Sequence, residues 1–221
     1  PRITAAPGTV AVAVTTATGA TDARVNATGI DDATAAHLHQ AFGGSNGPVV
    51  VGLGPCGLFA GLILAEMGFN PIILERGKIV RERTVDTFRF WRKGILNPAS
   101  NAQFGEGGAG TFSDGKLYSQ IKDPNHLGRK VLTEFVAAGA PEEILYASKP
   151  HIGTFRLVSM IERMRAKIVA LGGEIRFETQ VTDLITEEHR GEKHVIALGL
   201  SNGETLAADR VVMALGHSAR D

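Results

Sequence analysis

The chain of 221 residues contains a single cysteine, Cys56. An internal disulfide and a two-cysteine redox centre within the chain are therefore excluded, and the cytoplasm is the expected compartment. Net charge is also missing: 23 Lys and Arg balance 23 Asp and Glu. That balance argues against a nucleic-acid partner, which would usually require a basic excess. No apolar run approaches the roughly 18 residues a membrane span needs, so no membrane partner is expected. The opening PRITAAPGTVAVAV lacks the charged-then-apolar order of a secretory signal. Metal-ligand spacing is absent among the histidines and the cysteine; His37 and His39 lie two apart on an expected helix and so face different sides. The chain starts at Pro1 rather than Met and stops just after an apolar strand. It is expected to be a fragment of a longer protein.

What is present is glycine, and it is clustered: 27 residues, concentrated at 43–61 and 105–115. Residues 1–46 are rich in Ala, Thr and Gly, with no aromatic before Phe42. Val10, Val12 and Val14 alternate as in a short strand. Ala33 to Ala41 suits a helix capped by Asp31 or Asp32. Residues 43–47, GGSNG, read as a linker, and no function is read from the segment before it. The expected division is an unassigned segment at 1–46 and one nucleotide-binding domain at 47–221.

From Pro48 the pattern sharpens. Val49-Val50-Val51 is a buried parallel strand, followed by glycines, a helix from about Cys56 to Met67 ended by Gly68, and a second strand Pro71–Leu74. Helices are expected at about 78–92, 127–138 and from Thr154 to about Leu171. The last has Leu157, Ile161, Met164, Ile168 and Leu171 on one face, Thr154 as N-cap and Gly172-Gly173 as terminator. Strands follow at Glu174–Glu178 and Val181–Thr186. A hairpin then joins Val195–Leu200 to Thr205–Ala207, and Val211–Leu215 closes the sheet. The expected fold class is α/β and Rossmann-like, with a parallel sheet, inserted helices and a β-meander.

The segment VVVGLGPCGLFAG, residues 49–61, has G-x-G-x-x-G at Gly52, Gly54 and Gly57. Gly52 permits the tight turn, Gly54 leaves its backbone open to a pyrophosphate, and Gly57 lets the helix begin close to the strand. Gly61 lets the helix lie on the sheet. The N–H groups of the first helical turn face the phosphates. Strand, turn, helix and an acid, Glu75, at the end of the second strand supply the context that a glycine pattern alone lacks. Glu75 can accept hydrogen bonds from ribose hydroxyls. Cys56 sits in the first helical turn, a position that can depress a thiol pKa, although a small side chain beside the turn explains it as well.

The turn does not separate FAD from NAD. A compact NAD domain would proceed quickly to its third strand, whereas here about 98 residues separate Glu75 from Glu174. That insertion holds residues 101–116, NAQFGEGGAGTFSDGK, with five glycines that permit close approach to a ligand.

VVVGLGPCGLFAG with IILERG resembles the ADP-binding fingerprint of the glutathione-reductase-type FAD/NAD(P)-binding superfamily. SNAQFGEGGAGTFSDGKLYS, PHIGT and VVMALGHSARD resemble more narrowly the bacterial family of uncharacterised FAD-dependent dehydrogenases, over residues 48–221. The resemblance implies an FAD-dependent oxidoreductase, with NAD(P)H as a candidate reductant and the substrate and acceptor open. Gly52, Gly54 and Gly57 would surround the pyrophosphate, with donors near Pro55 and Cys56. Glu75 would hold the ribose and Arg76 would lie near the adenine, contacted by the main chain of Val181. Gly108, Gly110 and Thr111 would lie on the flavin side, and Gly216 would let the last strand pass the cofactor. The alternatives are an NAD(P)-binding oxidoreductase domain and a structural or non-catalytic flavin module. For chemistry, His217, Ser113, Asp114 and Lys116 stand beside the cofactor loops. Ser113-Asp114-Gly115 reads most simply as a turn, and Lys116 as solvated.

Overall fold

The computed structural model describes residues 10–14, 25–27, 46–117 and 122–216. Its centre is a four-stranded parallel sheet. Strands β3 (Val49–Val51) and β4 (Ile72–Leu74) pair in register, Val50 opposite Ile73. On the far side of β4 lies β5 (Glu174–Arg176), and on the other side of β3 lies β9 (Arg210–Met213). Strand β1 (Val10–Val14) pairs antiparallel with β9 and carries β2 (Val25–Ala27). The sheet order is therefore β2-β1-β9-β3-β4-β5.

Alternation within the short central strands assigns two separate cores. Val50 and Ile73 point to one face, where helices α1 (Pro55–Glu66) and α4 (Thr154–Ala170) bury Leu58, Leu62, Met164 and Ile168. Val49, Val51, Ile72 and Leu74 point to the other, against Leu198, Leu200 and Leu206. Those belong to a meander of β6 (Val181–His189), β7 (Glu192–Leu200) and β8 (Thr205–Ala207), ordered β6-β7-β8. With both faces covered, β3 and β4 have no place for alternating polarity, and their sequence is continuously apolar. This is the expected α/β, Rossmann-like architecture.

The expected insertion between β4 and β5 holds α2 (Val80–Lys93), a 3-10 turn at Ala109–Phe112, α3 (Leu127–Ala137), another at Glu142–Leu145, and α4. Three expectations need correction. Thr154 is the first helical residue of α4, not its cap: Gly153 occupies the cap, and the Thr154 hydroxyl donates to the Ser113 carbonyl at 2.9 Å. Strand β6 runs on to His189, because Glu187, Glu188 and His189 pair with His194, Lys193 and Glu192 across a turn at Arg190-Gly191. Strand β5 ends at Arg176, two residues before the expected Glu178. The helix expected at 33–41, with His37 and His39, and the linker residues 43–45 lie outside the described residues.

Helices α1, α3 and α4 are tied by a four-member charge network. Lys167 donates to Glu66 (2.6 Å) and Glu134 (2.7 Å), and Lys130 donates to the same two carboxylates (2.9 and 2.6 Å). The two lysine hydrogen bonds hold the Glu66 carboxyl below its usual range. Burial pushes Glu134 up, but the same lysines outweigh it and leave it lowered. A carboxylate with a depressed folded pKa binds fewer protons folded than unfolded. Its stabilisation is therefore present above the unfolded value of about 4.3 and lost as pH falls through the folded value. Denaturant titrations between neutrality and pH 3 should show this loss. Glu66→Gln should flatten it by up to about 1 kcal/mol, the scale of partly exposed ion pairs; an unaltered acid dependence in the variant removes the network as its source.

Candidate functional site

The carboxyl ends of β3, β4, β5 and β9 share one edge, and the chain segments leaving them enclose a cavity of about 360 Å³. This edge is where open parallel sheets place ligands. Gly52 and Gly54 come from the β3–α1 turn, Glu75 and Arg76 from the end of β4, and Thr179 to Val181 from the segment after β5. Ala214 to Gly216 come from the end of β9, and Gln103 to Gly105 with Gly108 and Ala109 from the inserted loop.

The glycines of the turn differ in their reasons. At Gly52 φ is +99°, and a Cβ would press on the Ala214 carbonyl oxygen. A Cβ on Gly57 would overlap the Gly52 carbonyl oxygen, and one on Gly61 the end of the Ile73 side chain. These are contacts within the protein, and they let α1 begin against β3 and lie on β4. Gly54 is unlike them. Its φ of −73° and ψ of −174° suit any residue, and a Cβ there would have no atom nearer than the Gly108 Cα at 4.0 Å. The space in front of Gly54 belongs to the cavity.

Helix α1 starts at Pro55, with Gly54 as cap and the Gly54 carbonyl accepting from Leu58 N–H at 2.9 Å. Proline has no N–H, so Pro55 lines the cavity without donating. The first amide of the helix that can face an anion is that of Cys56. Burial pushes the Cys56 thiol pKa up, which corrects the helix-terminus expectation and leaves a small neutral side chain against the cavity.

Glu75 is 4% exposed. Its Oε2 accepts from Leu53 N–H and its Oε1 from Gly77 N–H, both at 2.8 Å. The carboxylate thus first ties the end of β4 to the β3–α1 turn, a role the sequence reading did not assign. Arg76 lies over the Phe104 ring at 4.3 Å, donates to Pro98 O at 3.2 Å, and keeps its buried Nε without a partner.

Of the expected residues, Gly52, Gly54, Pro55, Cys56, Glu75, Arg76, Gly108, Val181 and Gly216 line this cavity. Gly57 lies buried under the turn. Gly110 is exposed, with open space at its Cβ position. Thr111 is buried behind the loop, its hydroxyl within 3.2 Å of Arg83 Nη1. Ser113 Oγ donates to Gly110 O (2.7 Å) and accepts from Gly115 N–H (2.9 Å), which makes the expected turn. Lys116 and Asp114 form an exposed pair at 3.4 Å away from the cavity. His217 lies outside the described residues.

The sequence reading missed Arg83 and Glu106, both 0% exposed. All five Arg83 donor positions are used. Nε donates to Asn101 O, Nη1 to Glu106 O and Thr111 Oγ1, and Nη2 to Ala102 O and Gly108 O. The Glu106 carboxylate accepts from Val80 N–H and from Arg165 Nη1, each at 2.7 Å, while Oε1 has no partner. Burial raises its pKa against the pull of the Val80 amide and Arg165. Only the i, i+3, i+7 spacing of Val80, Arg83 and Thr87 on the buried side of α2 could have signalled Arg83.

Comparison with known proteins places these features. The CHRD domain family model matches residues 1–61, so it spans the segment from which no function was read and also the β3–α1 turn. A protein of Clostridium beijerinckii described as uncharacterised is 47% identical over 174 residues, which is 79% of this chain and 31% of that protein. The chain thus spans under a third of that curated relative. Among solved structures, THI4 of Thermovibrio ammonificans is 21% identical, with 79% of this chain and 59% of that chain covered and a TM-score of 0.52. That likeness is one of fold. The L-amino acid deaminase of Proteus vulgaris is 15% identical over 80% of this chain and 49% of its own, at a TM-score of 0.48.

Two substitutions separate the packed glycine of the turn from the one that faces the cavity. Gly57→Ala should destabilise by about 1–3 kcal/mol, the usual range for forcing atoms into a packed site, whereas Gly54→Ala should leave the melting temperature unchanged; equal effects would contradict the distinction. Glu75→Ala should lower stability in the absence of any ligand by about 1–3 kcal/mol for each amide left without an acceptor. An unchanged denaturation midpoint would mean that the turn does not rely on it.

Proposed function

We propose that this chain is the dinucleotide-binding portion of a cytoplasmic FAD-dependent oxidoreductase of dehydrogenase type, and that its cavity receives the ADP half of FAD. The observation that carries the reading is Gly54. Nothing within the protein requires glycine there, yet a side chain would project into the space that a pyrophosphate needs to reach the backbone. The flanking amide of Cys56 is the nearest donor of the helix terminus for that diphosphate. Each Glu75 oxygen retains a lone pair beyond its main-chain bond and can accept from a ribose hydroxyl. Arg76 stacked on Phe104, with the main chain near Val181, forms the adenine end. The wall of Gly108 and Ala109 lies on the flavin side.

When bound, the flavin supplies hydride and electron transfer. The residues of this chain bind the adenylate, fix its direction across the sheet edge, and exclude water from the diphosphate. NAD(P)H is the proposed reductant; the substrate is a small molecule contacted by parts of the protein outside this cavity.

The full-length protein should purify yellow, with a flavin absorption spectrum, and release FAD identified by mass. Gly54→Val should remain folded by circular dichroism and lose the flavin. Colourless protein that binds NADH would transfer the site to NAD, ADP binding without flavin retention would make it a nucleotide module, and undiminished FAD content in folded Gly54→Val would remove the diphosphate from this corner.

A further inference from the structure

The loop that walls the cavity opposite Gly54 is held only in part by its own main chain, through Gly108 N–H to Gly105 O (3.0 Å) and a longer bond from Thr111 N–H to Gly108 O (3.3 Å). Gly105, Gly107 and Gly108 all have positive φ, and Gly108, at φ 60° and ψ −166°, occupies a region essentially reserved for glycine. For such a residue, rotation of the adjoining peptide costs little. The Gly108 Cβ position lies 3.2 Å from the Gly54 Cα, so the orientation of this peptide decides what faces the turn. A carbonyl oxygen swung into the cavity would meet an anion with its negative end.

Arg83 makes the shorter of the two hydrogen bonds that prevent that. Its Nη2 takes the Gly108 carbonyl at 2.7 Å, and the rest of the fork takes the carbonyls of residues 101, 102 and 106. Burial lowers the Arg83 pKa to about 10, opposed by the charges of Glu75 and Glu106, so the group is cationic at neutral pH. Among the described residues no carboxylate lies within ion-pair distance of it. A buried cation solvated by four carbonyls and the Thr111 hydroxyl has hydrogen bonds but no carboxylate in direct contact, and such a charge is costly to bury. A diphosphate on the far side of Gly108 would supply the missing anion.

We infer that Arg83 is a positioning residue for the diphosphate: it turns the Gly108 carbonyl away from the cavity and sets a buried positive charge behind the wall facing Gly54. The inference rests on the dinucleotide reading above and adds to it a residue that does not touch the ligand. It makes the effect selective for phosphate. A general brace would, when removed, weaken every ligand of the cavity alike, whereas a diphosphate-positioning group would leave adenosine untouched.

The test is calorimetric binding of ADP and adenosine to full-length protein freed of bound nucleotide, in wild type, Arg83→Gln and Arg83→Lys. Arg83→Gln, which removes the charge, should weaken ADP by about tenfold or more, the size of one charge-assisted contact, with adenosine unchanged. Arg83→Lys keeps the charge and loses the fork, and should recover part of the ADP affinity. Equal losses for ADP and adenosine, or ADP binding at the wild-type level in Arg83→Gln, would overturn the inference. If Arg83→Gln does not fold, Arg83→Lys decides it: the ratio of ADP to adenosine affinity falls, and an unchanged ratio overturns the positioning role. Wild-type protein that binds neither ADP nor FAD would instead defeat the dinucleotide reading itself.

Discussion

A buried carboxylate that accepts two main-chain N–H groups fixes the corner on which the site is built. Glu75 stands at the end of β4, yet its two oxygens hold Leu53 in the β3–α1 turn and Gly77 at the entry to the insertion. Its own amide donates to Arg176 O and its carbonyl accepts from Thr179 N–H, so the ends of β3, β4 and β5 converge on one residue. An ionised group with little exposure is tolerable because its charge is spread over good donors. The consequence for function is rigidity: the turn, the acid and the segment leading to Val181 cannot move independently, and the cavity they line is formed before any ligand arrives.

The second wall obeys a different economy of charge. Around Arg83 the donors are side-chain and all acceptors but the Thr111 hydroxyl main-chain, the reverse of Glu75. Glu106 contributes its carbonyl to the Arg83 fork and its carboxylate to Val80 N–H and Arg165, so one residue joins the glycine loop to α2 and α4. Phe112 continues the same assembly outward, with its ring 4.8 Å from the Arg83 guanidinium and 6.0 Å from the Trp91 ring. Residues 80–112 of the insertion therefore do not form a loose excursion from the sheet. They are pinned by polar contacts on the inside and by aromatic contacts on the outside.

How much of this could be read beforehand depended on whether the controlling interaction was local. The β3–α1–β4 unit was legible because glycine sterics and apolar runs are properties of adjacent residues. So were α4, from the four-three repeat of its apolar positions, and the β7–β8 hairpin around Asn202-Gly203. Arg83 was not, since VRERTVDTFRFWRK carries so many charges that any one of them reads as solvated. Its burial is decided by carbonyls 18 to 25 residues away. The β6–β7 extension was hidden for a related reason: EEHRGEK reads as a polar loop until the two strands are laid side by side and its residues pair in register across them. Glu75 was found, but as a ligand group only, because its main-chain partners Leu53 and Gly77 are visible only in three dimensions.

The same contrast explains why the glycines of one motif are not interchangeable. Gly52 and Gly57 answer to neighbours already inside the protein, so their demand for a missing side chain is part of folding and would persist if the cavity had no use. Gly54 answers to nothing in the fold, and across the gap Gly108 adopts a conformation that only glycine tolerates, held by a buried cation. One wall is bare by composition, and on the other the Gly108 carbonyl is taken by Arg83 Nη2 and the Thr111 amide. Two surfaces facing each other with their backbones exposed, and with a buried cation behind one of them, form an arrangement that hydrophobic burial does not require. What sets this corner apart is therefore the space that the packing leaves empty between Gly54 and Gly108, more than the presence of a glycine-rich pattern.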